Sequence, residues 1–286
     1  MVINFHKMQA LGNDFVIIES RCGDDVTKFF DRKLLQRIGD RKYGIGCDQI
    51  VIFYRENCFI HAYFFNNDGS SAEICGNASR CLGKLMRSHY GIAKFSMIAS
   101  GKDYDIQVNP DKTVSVTMCK PSFRENEIGL TKSIETPWDL DAESDLQMSN
   151  DDISQMKIVK ISCVSVGNPH LILFVEKIPE TKIVERIGAF LSTHPLFKNG
   201  INVSFVKIVS EDTAEQCSYE RGTGLTLACG SGACATAAVA KKCNLLKGDD
   251  VVIQQKGGDL SIHHNENGTI TQTGTATYVF SGIIEV

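Results

Sequence analysis

Two cysteines have neighbours that could support chemistry. Cys75 opens Cys75-Gly76-Asn77 and Cys229 opens Cys229-Gly230-Ser231, each at the start of a segment with helical spacing, 229 − 75 = 154 residues apart. Polar residues repeat in nearly the same register. Asn13 is echoed by Asn168 (168 − 13 = 155), Gln49 by Asn202 (202 − 49 = 153) and Asn66 by Glu220 (220 − 66 = 154). A thiol and three polar positions repeated at one interval imply two similar halves facing each other, with a thiol on each wall of the cleft between them. Such a pair can invert a carbon centre: a thiolate takes a proton from one face while a thiol delivers one to the other.

A cysteine pKa is ordinarily about 8.5, so only a few per cent is thiolate at neutral pH. A helix N-terminus favours the anion by about 0.3–1 kcal/mol, and by roughly 2 kcal/mol in partly buried sites. Since about 1.4 kcal/mol is one pKa unit, the dipole moves the thiol by about a unit. Exclusion of water around a bound substrate must supply the rest. The backbone amides of Gly76, Asn77, Gly230 and Ser231 suit a carboxylate, which glycine lets approach closely. They would also stabilise charge as the carbon loses its proton. Asn13, Asn66, Asn168 and Asn202 add neutral amides and Arg221 a carboxylate fork, a set that fits a zwitterionic amino acid better than a phosphate.

The elements that must position these groups are mostly strands. Period-two alternation marks Val114 to Met118 and a run from Ile3, and β-rich stretches cover 15–19, 50–54, 59–65, 95–99, 158–166, 171–176, 203–209, 251–255 and 276–286. After Cys75, the residues Ala78, Leu82, Leu85 and Met86 predict a helix that Gly91 stops. After Cys229, the run 233–240 is small and apolar on nearly every side, so its helix must be buried. Outer helices are expected over 31–38 and 182–191. The fold class is therefore α/β (α+β), two pseudo-symmetric domains, each a mostly antiparallel sheet curled around a central helix. The N-terminal half is placed at 1–122, with a returning strand at 275–286, and the C-terminal half at 123–274. Residues 123–156, polar and poorly periodic, read as a connection with a surface excursion.

Composition narrows the field. The 286 residues are 43% hydrophobic and 22% charged, a soluble domain mix, and 30 Lys and Arg against 34 Asp and Glu give a net charge of −4. No basic cluster suggests nucleic acid as a partner, and no apolar run is long enough to cross a bilayer. Eleven cysteines, odd in number and scattered, argue for thiols in a reducing cytoplasm rather than a disulfide framework. Cys22, Cys47, Cys58, Cys119, Cys163, Cys217 and Cys243 read as small core residues, as do Cys81 and Cys234. With no Cys-x-x-Cys pair and no histidine near Cys75/Cys81 or Cys229/Cys234, no metal site is expected. Taken alone, His170 reads as a structural histidine and Glu220-Arg221 equally well as a surface ion pair. A cysteine hydrolase built on Cys229, His170 and an asparagine would leave Cys75 idle. A non-catalytic amino-acid-binding protein is the third reading.

Several stretches together resemble the diaminopimelate epimerase family: Met8 to Val16, Gly44 to Gln49, Asn66 to Arg80, Gly167 to His170, Gly200 to Val203, and Tyr219 to Gly232. They cover most of the chain in the family's order. The resemblance implies a cofactor-independent isomerase that turns LL-2,6-diaminopimelate into the meso form, with Cys75 and Cys229 as alternating acid and base. It implies that Asn13, Gln49, Asn66, Asn168, Asn202 and Arg221 contact the substrate and that Glu220 meets an amino group. The amides at Gly76-Asn77 and Gly230-Ser231 would take the reacting carboxylate, and His170 and Glu220 would support the thiols or the reacting centre. It also implies two α/β domains that close over substrate, and a homodimer. Ala78, where the family often has glycine, and Leu225, where a polar residue is common, depart from the pattern. A related racemase acting on proline or histidine is the nearest alternative, and Arg221 with the distal asparagines favours a substrate with a second amino acid head.

Overall fold

The computed structural model describes residues 2–21 and 26–285. Cys22 lies outside them. The chain divides into two compact units, Met1–Thr117 with Thr273–Val286, and Met118–Gln272.

In the first unit the order is β1 (Val2–Ala10), β2 (Asn13–Glu19), α1 (Val26–Phe29), α2 (Arg32–Gly39), β3 (Gln49–Glu56), β4 (Phe59–Asn66), β5 (Ser71–Ala72), α3 (Gly76–Tyr90), β6 (Lys94–Ala99), β7 (Lys102–Val108) and β8 (Val114–Met118). The second unit follows with α4 (Glu125–Ile128), α5 (Asn150–Met156), β9 (Ile158–Ser165), β10 (Pro169–Val175), α6 (Thr181–Ser192), β11 (Asn202–Ile208), β12 (Thr213–Glu220), β13 (Gly224–Thr226), α7 (Gly230–Lys242), β14 (Asp250–Gln255), β15 (Gly258–His264) and β16 (Ile270–Gly274). The last strand, β17 (Thr277–Glu285), pairs antiparallel with β1 in the first unit.

Each unit repeats one ladder. In the first, β1 runs antiparallel to β2, β2 parallel to β3, β3 antiparallel to β4, β4 parallel to β6, and β6 antiparallel to β7. In the second, β9, β10, β11, β12, β14 and β15 pair in the same sense and order. The registers match as well. Phe15 stands opposite Gln49 and Gln49 opposite Asn66; His170 stands opposite Asn202, and Val203 opposite Tyr219.

The sequence explains which element goes where. Helix α2 is capped by Asp31, which accepts from the Leu34 N–H at 2.8 Å, and buries Leu35 and Ile38 on the cluster of Val16, Ile18, Ile50 and Ile52. Helix α3 ends on Gly91 in the left-handed conformation at φ 71°, with its N–H on the Met86 carbonyl. It packs on β1, β2, β7 and β17. Helix α7, buried along Ala233 to Ala240, packs on β9, β10, β11, β14 and β15. Its small side chains admit strands on several sides at once.

Three sequence expectations need correction. Residues 123–156 are more than a surface connection: they carry α4 and α5, and Ile128, Leu140, Leu146, Met148 and Met156 join the core of the second unit. Apolar anchors spaced irregularly in a polar stretch gave no period to read. Cys58 is exposed at the β3–β4 turn and belongs to no core. Strands β7, β12 and β15 went unread because few β-branched residues mark them; their alternation lies in burial, as Tyr104 and Ile106 show in β7.

Candidate active site

In the first unit the polar residues cluster at one end of the ladder. Asn13 begins β2, Gln49 begins β3 and Asn66 ends β4. Gln49 Nε2 donates to Asn66 Oδ1 at 3.2 Å, and Asn66 Nδ2 donates to Ser70 Oγ at 3.0 Å. Asn13 Oδ1 and Gln49 Oε1 are buried and accept no hydrogen bond among the described residues, which leaves two acceptors for donors on a bound molecule.

An ionic lock sets the strand starts. The Asp14 N–H donates to Asp48 Oδ2 at 3.0 Å and the Asp48 N–H donates to Asp14 Oδ1 at 3.0 Å, so β2 and β3 begin in fixed register beside Asn13 and Gln49. Arg41 bridges both carboxylates at 2.7 Å, and Lys7, almost fully buried, reaches Asp14 at 2.5 Å and also donates to the Gly46 carbonyl. Burial pushes the Asp14 carboxyl up, but the hydrogen bonds from Arg41 and Lys7 prevail and hold it well below the ordinary carboxylate range. Burial raises its neighbour Asp48.

Cys75 is the N-cap of α3, half-buried, with extended backbone. Ser79 Oγ donates to its carbonyl at 2.9 Å. The Asn77 side chain is buried and its Oδ1 accepts from Arg80 at 2.7 Å.

The second unit assembles a matching group with different chemistry. Cys229 is the N-cap of α7, buried, and its Sγ accepts the Gly232 N–H at 3.3 Å. Ser231 Oγ lies 3.6 Å from that sulfur. His170 Nε2 lies 3.1 Å from both Ser231 Oγ and Asn168 Oδ1, and Asn168 Nδ2 donates to Ser231 Oγ at 3.3 Å. A polar chain thus runs from Asn168 and His170 through Ser231 to the thiol. Complete burial, with a contribution from the Arg221 cation, pushes the His170 pKa down to about 3, so the ring is neutral at physiological pH. His170 occupies the register place that Phe15 fills in the first unit.

Asn202 is pinned from two sides. Its Oδ1 accepts the Arg221 N–H at 3.0 Å and its Nδ2 donates to the Pro169 carbonyl at 3.1 Å. Arg221 Nη1 donates to the Asn199 carbonyl at 2.7 Å. Gly200, at φ 71°, lets this loop pass: a Cβ there would stand 2.6 Å from the Ser192 carbonyl oxygen. Glu220 Oε1 accepts from Thr226 Oγ1 at 2.7 Å, which fixes the carboxylate across the β12–β13 turn. Leu225 packs half-buried against the second unit's core, which accounts for an apolar residue at that place.

In the second unit Asn168, His170 and Ser231 meet at the helix N-terminus that bears Cys229, and in the first Gln49 and Asn66 pair at one end of the ladder. Sequence reasoning missed the Asp14–Asp48 lock, Thr226 and Gln255, whose side chain accepts the Cys229 N–H at 2.7 Å. Asp14 and Asp48 each adjoin a chosen polar residue, and that adjacency was the available signal. Among the described residues, no group of three or more His, Cys, Asp or Glu is placed to hold a metal ion, and no helix is long and apolar enough to cross a membrane.

The diaminopimelate epimerase family profile matches residues 5–124 and 162–279. The chain is 36% identical over 290 residues to a diaminopimelate epimerase of Coxiella burnetii, covering 99% of both, and 37% identical over 280 residues to that of Rickettsia prowazekii, covering 98% and 96%. The chain belongs to the diaminopimelate epimerase family. Among solved structures, a PhzF-family phenazine biosynthesis protein of Bacillus anthracis superposes with a TM-score of 0.70 at 15% identity, covering 100% of both chains. A hydroxyproline epimerase of Agrobacterium vitis gives 0.67 at 12% identity, covering 99% of this chain and 91% of that one. These two likenesses concern the mixed α/β, mostly antiparallel fold alone. The segment that carries α4 and α5 lies between the two matched stretches.

Proposed function

We propose that this chain epimerises LL-2,6-diaminopimelate to meso-diaminopimelate without a cofactor, a step of lysine biosynthesis, using Cys75 and Cys229 as the acid/base pair. One thiolate removes the α-proton, the thiol on the opposite face returns a proton, and the pair exchanges roles in the reverse direction. A pair of anions in a dry cleft would repel, so one thiol and one thiolate is the resting state. What supports this reading is the repeated ladder, with polar residues at matching register places and a Cys-Gly turn capping the helix of each unit.

The remaining groups divide between the two ends of the substrate. The N–H groups of Gly76, Asn77, Gly230 and Ser231 bind the reacting carboxylate and stabilise charge that builds up in the transition state. Asn13, Gln49, Asn66, Asn168, Asn202 and Arg221 bind the distal amino acid head, and Glu220 takes an ammonium group. Neutral His170 orients Ser231 beside Cys229. The distal head is what separates this substrate from the proline type, since a monofunctional amino acid leaves Arg221 and the distal amides unmatched.

The working form is a cytoplasmic homodimer. Val2 on β1 and Ile283 on β17, both exposed and on one face of the β1–β17 pair, form a small apolar patch suited to a second copy. Sedimentation of the full chain tests that assembly. The chemistry is tested by deuterium uptake at the α carbon in D2O: Cys75→Ala and Cys229→Ala each abolish epimerisation, and turnover unchanged in either variant rules the two-base scheme out.

A further inference from the structure

We infer that Gln255 is a positioning residue for Cys229, part of a buried glutamine brace that the C-terminal unit has and the N-terminal unit lacks. The inference rests on the reading of Cys229 as an acid/base residue. Gln255 ends β14, is 9% exposed, and directs Oε1 at the Cys229 N–H, 2.7 Å away. That bond fixes the N-cap backbone at φ −119° and ψ 109°, the conformation in which Sγ accepts the Gly232 N–H. A rotation about the cap would move the sulfur off the helix axis.

Its neighbour supports the same corner. Gln216, opposite Gln255 in the parallel β12–β14 ladder, is buried, donates through Nε2 to Ser218 Oγ at 2.8 Å and accepts from Thr236 Oγ1 at 2.8 Å. It lies against Gly232: a Cβ on that glycine would stand 2.8 Å from Gln216 Nε2. The N-terminal unit fills the corresponding places with Ala62, Ala99 and Ala78, all buried. Ala62 and Ala99 continue the β4–β6 register, whose last pair is His61 with Ile98. Alanine offers no side-chain acceptor at the place of Gln255. The two thiols are thus held by different means, and removal of the brace must affect one of them alone.

The experiment uses Gln255→Met, which keeps the volume and removes the amide, and Gln255→Glu, which keeps an oxygen within reach. Site-resolved alkylation by iodoacetamide, read by mass spectrometry across pH, follows Cys75 and Cys229 separately and needs no turnover. In Gln255→Met the Cys229 profile moves to higher pH while that of Cys75 stays, and kcat falls about tenfold to a hundredfold at little-changed KM. One diaminopimelate stereoisomer then exchanges its α-hydrogen with solvent faster than it epimerises, because delivery of the second proton has become slow. Gln255→Glu matches the wild-type Cys229 rate at low pH, where a buried carboxyl is neutral, and falls below it as the acid ionises and disfavours the thiolate beside it. This second variant decides the matter if the first does not fold. Equal shifts at both cysteines, or none at Cys229, overturn the role of Gln255. Wild-type chain without epimerase activity would instead overturn the assigned function and leave the alkylation result standing.

Discussion

Gly232 donates its backbone N–H to Cys229 Sγ at 3.3 Å, and it can do so beside Gln216 only because it has no side chain. An added Cβ would meet Gln216 Nε2 at 2.8 Å and Cys229 Sγ at 3.2 Å. Gly232→Ala is therefore expected to cost about 1–3 kcal/mol of stability. Gln216→Ala alone strands the Thr236 hydroxyl and leaves Ser218 with Ser204 as its partner, at a similar cost. The double variant recreates the Ala62–Ala78 arrangement of the other unit, so it should be more stable than the sum of the single losses by about 1 kcal/mol or more. Urea denaturation of the four proteins measures this; strict additivity defeats it. The same relation accounts for Ala78, the departure noted in the sequence: the first unit has alanine, Ala62, at the register place of Gln216.

His170 leads to a prediction about acid. Its pKa in the folded protein, about 3, lies below the 6.5 of an unperturbed ring, so the unfolded chain binds the proton more readily. The stability it contributes is complete above about pH 6.5 and is lost as pH falls toward 3, with a slope of at most about 1.4 kcal/mol per pH unit. His170→Phe, which copies Phe15, should flatten that dependence between pH 7 and 5 and lower kcat by about tenfold, since Ser231 loses its partner. Urea midpoints of both proteins at the two pH values provide the comparison; parallel curves would refute the assignment.

Asp14 anchors a different corner. Asp14→Asn leaves Lys7 buried without its charge partner and loosens the reciprocal bonds to Asp48. A loss of about 3 kcal/mol in stability is expected, with a rise in KM as Asn13 and Gln49 drift apart. In the native protein the Asp14 contribution is present above the ordinary carboxylate pKa and vanishes as pH drops through its depressed folded value. Thermal melts at pH 7 and pH 3 separate the variant from the parent. A variant as stable as the parent at pH 7 shows that the lock contributes nothing.

The α4–α5 segment should matter for folding and little for turnover. Leu146 is fully buried within it. Leu146→Ala is expected to lower stability by about 2–5 kcal/mol while kcat of the folded fraction holds. Denaturation together with kinetics at low temperature checks both halves of that statement.

The candidate site was more legible than the fold around it. Chemistry at Cys75 and Cys229 demands particular side chains at particular spacings, and a repeat makes such demands visible twice. Helix α3 could be read because its apolar residues keep helical spacing and Gly91 stops it. Strands β12 and β15 were opaque, since Thr213 to Glu220 and Gly258 to His264 carry few branched residues. Their strand character comes from neighbours on both sides of the ladder. Gln255 was invisible for a related reason. It lies 255 − 229 = 26 residues beyond the cysteine it caps, and only the pairing of β14 with β12 brings it there.

Strand β17 gives the molecule an order of construction. The edge of β1 receives its partner only from residues 277–285, which are made after the whole of the second unit. The middle of the polypeptide can collapse into its own core during synthesis, while the N-terminal portion waits with an open hydrogen-bonding edge. A nascent chain stalled before Thr277 would therefore hold a finished second half and an unfinished first, and its need for chaperones should end once β17 is made.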